Sequence, residues 1–113
     1  MLKKELAIIN DGKEILKNLV LKYNIREEVT FIHIGNLLPR QKYIHEFIVD
    51  HEDTYLELNF LDINGLKHNQ IIFGGYIYPI QFSVQLNIKR NKNNEIVFEQ
   101  IDALDNYWFF PVF

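Results

Sequence analysis

Ile80-Gln81-Phe82-Ser83-Val84-Gln85-Leu86-Asn87-Ile88 alternates apolar and polar residues without exception. Successive side chains of a strand point to opposite faces, so this stretch has one dry face and one wet face. That is the pattern of an antiparallel sheet packed on one side and hydrated on the other. A dry strip is stable only when another layer covers it, and the fold therefore turns on what that layer is.

Reading outward, Arg90-Asn91-Lys92-Asn93-Asn94 forms a polar turn, after which residues 95–101 return antiparallel. Upstream, Pro79 cannot donate to a ladder and marks an edge or a bulge. Gly74-Gly75 and Asn64-Gly65 separate runs rich in β-branched, aromatic and aliphatic residues. Such pairs supply the positive φ angles of primed hairpin turns, so the spacing predicts a meander through residues 54–63, 66–73 and 76–78. Gly74-Gly75 does not read as a phosphate loop, because strand-like residues rather than a helix follow it. Residues 28–34 read as a strand ended by Gly35-Asn36. Residues 41–50 fit a helical face through Ile44, Phe47 and Ile48, or an alternating one through Tyr43, His45, Phe47 and Val49. The alternation of Leu56, Leu58 and Phe60 beyond favours strands on both sides, joined by a hairpin across residues 50–53.

The covering layer is expected from the N-terminal segment. Leu2, Leu6, Ile9, Leu16, Val20 and Tyr23 recur at spacings of three, four and seven, widened by Ile15 and Leu19 into one apolar face. The spacing predicts a helix over residues 3–23, kinked or restarted near Gly12, where Asp11 and Glu14 match a capping box. Lys3, Lys4, Lys13, Lys17 and Lys22 would form its wet face. A short strand over residues 6–9 is the competing reading. The expected class is thus α+β: one N-terminal helix packed on a twisted antiparallel meander of four to six strands, in a single domain spanning residues 1–113.

Composition narrows the function classes. The 113 residues carry a net charge of −3, which offers no field for nucleic acid or anionic lipid. There is no cysteine, which removes disulfides and thiolate chemistry. No apolar run approaches the roughly 20 residues of a membrane span, and the N-terminus has no signal-peptide pattern. A cytoplasmic location is the expectation.

No catalytic constellation emerges, and no cofactor is expected. His45, His51, Glu52 and Asp53 are the densest set of potential ligands, but a bend at residues 50–53 would part them, leaving a polar loop. His33 reads as a half-buried strand residue and His68 as a solvated one, while Asp62, Asp102 and Asp105 fall near strand ends, where carboxylates cap turns. The uncharged wet face Gln81, Ser83, Gln85 and Asn87 suits either a contact surface or plain hydration. The last eight residues hold five aromatics, as a strap over the core or as a displayed patch.

In size, acidity and absence of cysteine the chain is similar to bacterial toxin-immunity proteins, a resemblance of bulk properties carried by no motif. The expected function is a non-catalytic protein-binding module that inhibits or neutralises a partner protein, with Tyr76, Tyr78, Tyr107, Trp108, Phe109 and Phe110 as the contact residues. The partner would be another protein, a toxin or an enzyme, or a second copy in a homodimer. The alternative is a small-ligand or enzyme domain with a pocket between helix and curved sheet, holding His33, His45 or Tyr78.

Overall fold

The computed structural model describes residues 3–25, 28–48, 53–76 and 82–104. Eight strands fill them: β1 (Lys3–Asn10), β2 (Leu16–Ile25), β3 (Glu28–Leu37), β4 (Lys42–Ile48), β5 (Asp53–Leu61), β6 (Lys67–Tyr76), β7 (Phe82–Arg90) and β8 (Ile96–Leu104). They form two four-stranded sheets, ordered β4-β1-β7-β8 (sheet A) and β3-β2-β5-β6 (sheet B). All pairings are antiparallel except β1 with β7, which run parallel.

The two sheets share one core. Leu6, Ile8, Val84, Leu86 and Ile88 of sheet A meet Leu19, Leu21, Leu56, Leu58, Phe60 and Ile72 of sheet B, all buried. Each such side chain contributes about 1.5–3 kcal/mol through burial. Phe60 of β5 meets Phe98 of β8 edge-on, with ring centroids 6.0 Å apart, and Gln100 of β8 donates to the Ile72 carbonyl of β6 at 3.1 Å. The architecture is a β-sandwich.

Five expectations are corrected. The α+β class is wrong: no helix exists among the described residues, and the dry face of β7 is covered by a second sheet. The segment read as a helix over residues 3–23 is β1, a crossing loop and β2. Its helical spacing has a physical origin. In β1, Leu6 and Ile8 alternate inward, which is plain strand periodicity. In β2 the inward parity changes from Leu16 to Leu19 and Leu21. The change occurs at a bulge where Asn18 takes φ +52° and the register with β3 and β5 slips. An extra residue turns a spacing of two into a spacing of three, and the strand imitates a helix turn.

Gly74-Gly75 is not a turn; both residues lie within β6, opposite Tyr55 and Thr54. Nor do residues 50–53 join a hairpin, since β4 pairs with β1 in sheet A whereas β5 pairs with β2 and β6 in sheet B. Residues 41–50 contribute the strand β4, and the single meander of four to six strands becomes two sheets.

The turn at Asn64-Gly65 does link β5 to β6. Asp62 accepts at its carbonyl from Gly65 N (3.0 Å), and of the turn residues Gly65 alone has positive φ, +80°. Asp62 Oδ1 takes the amides of Asn64 and Leu66 at 2.8 and 3.1 Å. The β7–β8 turn repeats this construction: Asn91 Oδ1 takes the amides of Asn93 and Glu95, and Asn94 holds φ +63°. Both turns use an Asp or Asn side chain to mimic backbone pairing.

Candidate functional site

Four loops converge at one end of the sandwich: residues 11–15, 38–41, 62–66 and 91–95. They enclose a cleft of about 580 Å³ with Leu16, Ile63, Ile88 and Ile96 among its apolar lining and Lys13, Lys89, Arg40 and Arg90 among its charges. Asn10 sets the crossing from sheet A to sheet B. It is 1% exposed, and its Nδ2 donates to the carbonyls of Glu14 (2.7 Å) and Leu37 (2.9 Å), while its Oδ1 takes Gly12 N. Asp11, part of the expected capping box, instead pairs with Arg40 at 2.8 Å.

Beneath the cleft lies a charge network. Arg90 Nε donates to Glu14 Oε1, and Arg90 Nη2 reaches Glu14 Oε2 at 3.2 Å and Asp62 Oδ2 at 3.4 Å. His68 meets that same Asp62 oxygen at 2.8 Å, and Ile63 N donates to Glu14 Oε2 at 3.1 Å. The hydrogen bond from His68, aided by the amides of Leu66 and Asn64, pulls the buried Asp62 carboxyl down to about 2 against the penalty of burial. The Arg90 guanidinium likewise lowers Glu14.

Chemically, this arrangement is a clamp. Both oxygens of each carboxylate are occupied by donors, both groups are held ionised, and neither can deliver a proton near neutral pH. The chain has no cysteine, and its serine, Ser83 on β7, lies in the register row of Glu5 and Glu46 on the opposite face, so among the described residues neither a thiol nor a serine hydroxyl stands beside them. Among the described residues no group of three His, Cys, Asp or Glu side chains could hold a metal ion.

The candidates from sequence do not assemble. Asp62 caps a turn as its position suggests, but His68, expected to be solvated, is half-buried against it and stacks on Phe60. His33 is exposed on β3. His45 lies opposite Leu6 on the inward face of β4, stacked on Tyr43, and burial lowers its pKa. The pocket between helix and sheet has no helix to form it among the described residues. His51, Glu52, Tyr78, Tyr107, Trp108, Phe109 and Phe110 lie outside the described residues, and Tyr76 is described only as the last backbone position of β6. Sequence reasoning missed Glu14 and Arg90 as partners, since 76 positions separate them.

A second candidate surface is the outer face of sheet A. The ladder registers place Ile44, Ala7, Gln85 and Ile101 in one row across all four strands. No residue in that row is charged, and Ile44 and Ile101 are 49% and 50% exposed. The adjoining rows carry Glu46 and Glu5 on one side and Lys42 and Glu99 on the other. Gln85 donates to Asn87 at 3.1 Å, and Asn87 to Glu99 at 3.2 Å, fixing the amides of the expected wet face.

No protein-family model matches the chain, and no curated protein does. Among solved structures the chain is similar to the NMR structure of a protein from Eubacterium rectale, with a TM-score of 0.58 at 13% identity over 86% of each chain. That likeness is one of fold alone. Among the described residues no helix is long and apolar enough to cross a membrane.

Proposed function

We propose that this β-sandwich is a non-catalytic protein-binding module that masks or inhibits its partner. The observation that carries the reading is the uncharged row Ile44–Ala7–Gln85–Ile101, bordered by charged rows. Protein interfaces have this anatomy: a centre depleted of charge, with a polar rim that stays hydrated. The ionisable groups beneath the loop-end cleft, by contrast, are consumed by one another. The aromatics Tyr76, Tyr78, Tyr107, Trp108, Phe109 and Phe110 belong to the same proposal as a second set of contacts.

Affinity capture from the native host tests it, using the natural chain, an Ala7→Glu/Gln85→Glu variant and Trp108→Ala, each checked for an unchanged thermal transition. A single protein should be retained by the natural chain and lost with the charged face. Recovery of no macromolecule, or retention indifferent to all these changes, would sink the reading.

The loop-end cleft favours a second reading, a small acidic ligand, because no described residue pairs with Lys13 or Lys89 at its rim. Titration with a dicarboxylate such as succinate should then move amide resonances of residues 11–15 and 91–95; a flat response would dismiss it.

A further inference from the structure

Sheet edges expose unpaired N–H and C=O groups, and proteins guard them with charges, proline or bulges. Of the four edge strands among the described residues, three are guarded. β4 carries exposed Lys42 and Glu46, β8 carries exposed Glu99, and β6 slips register opposite Leu56 and Glu57. β3 differs. Its only charged residue is Glu28, at its start, and its register against β2 slips only beyond His33, near Gly35, so that over residues 28–33 it pairs without irregularity. Among the described residues it pairs with β2 alone.

Both faces of this edge are left apolar. Outward, Val29 and Phe31 are 48% and 56% exposed, with His33 exposed beside them. Inward, Ile32 and Ile34 are only half-buried against the core. A strand added here would extend the sheet and cover both pairs together.

We propose that β3 pairs antiparallel with β3 of a second copy of this chain, about a two-fold axis at Phe31. The inference concerns a different surface from the sheet A face and does not depend on it. Self-complementarity is what singles out a second copy. A symmetric interface must place each residue against one it tolerates. With Phe31 opposite its counterpart, Val29 falls opposite His33 and Thr30 opposite Ile32. Glu28, the lone charge, falls opposite Ile34, so the two carboxylates stand at opposite ends. No like charges meet, and an aromatic pair sits at the centre. The four strands of sheet B then continue as eight, in the order β6-β5-β2-β3 followed by its mirror sequence.

The absence of cysteine makes the register directly testable. Directly opposed residues of an antiparallel pair have Cα atoms about 4.5–5.5 Å apart, within disulfide range. Phe31→Cys should therefore form a covalent dimer under mild oxidation. Val29→Cys alone should not, whereas Val29→Cys combined with His33→Cys should. Sedimentation of the natural chain over a range of concentrations should show reversible dimerisation, weakened about tenfold or more by Phe31→Lys. Because Phe31 is exposed, that variant should keep its thermal transition. A natural chain that stays monomeric throughout would overturn the proposal and leave the edge to a foreign strand. Crosslinking as fast at Cys-substituted position 29 as at 31, or a dimer indifferent to Phe31→Lys, would overturn it too.

Discussion

His68 Nε2 lies 2.8 Å from Asp62 Oδ2, joining the start of strand β6 to the residue that shapes the turn before it. An ionised carboxylate only accepts, so His68 holds its proton on Nε2 and donates. Asp62 is 1% exposed, and its other oxygen is taken by two backbone amides. One side chain thus anchors a turn, a strand and, through Arg90, the opposite sheet.

Acid should unfold the protein through this residue. The Asp62 carboxyl lies at about 2 in the folded chain, below the ordinary 3.8, so folding favours its ionised form. Its contribution is complete above the unfolded value and is lost as pH falls from about 4 through about 2, amounting to roughly 2 kcal/mol. Glu14, lowered by Arg90, acts in the same direction. Urea midpoints measured from pH 6 downward should fall steeply in that window, and the fall should shrink in Asp62→Asn.

Asp62→Ala should cost about 3 kcal/mol at neutral pH. It strips the amides of Asn64 and Leu66 and the His68 ring of their acceptor and leaves Arg90 short of a counter-charge. Equilibrium urea unfolding measures this. A loss under about 1 kcal/mol would mean that water replaces the carboxylate without penalty.

Asn10→Ala should cost about 2 kcal/mol, because the carbonyls of Glu14 and Leu37 lose a shared donor inside the sandwich. Amides of residues 11–15 should exchange faster in the variant, since Asn10 is what draws that loop across the sheets. Exchange unchanged from the natural chain would refute this role.

Asn18 is the bulge residue, at φ +52°. Asn18→Gly should leave stability within about 0.5 kcal/mol, whereas Asn18→Val should lose about 1–2 kcal/mol, because a β-branched residue resists this backbone conformation. Thermal denaturation of the pair separates backbone strain from any loss of side-chain contacts.

Much of the fold was legible where periodicity ran undisturbed. Val84, Leu86 and Ile88 are buried on one face of β7 as their alternation requires, and Asn64-Gly65 turns the chain between β5 and β6. The helix was misread because one inserted residue at Asn18 shifted the buried positions from even to odd numbers. Gly74-Gly75 misled for a different reason: glycine permits a turn but does not compel one, and both residues fit within a ladder. The charge network was scarcely legible. Asp62 and His68 are six positions apart, but Glu14 and Arg90 join them only when two sheets close, which local pattern cannot show. The uncharged row of sheet A was visible only in its β7 member, Gln85, since strand order supplies the rest.

β1 lies between β4 and β7, with Lys4 opposite Phe47 on one side and Phe82 on the other. On the ribosome β1 therefore emerges well before β7, the neighbour for which it waits. Among the pairings of the described residues its parallel bond to β7 spans the most chain, and closing so large a loop is slow. Nascent chains halted before residue 82 should hold β1 with one open flank, vulnerable to proteases and to chaperone capture until β7 clears the exit tunnel.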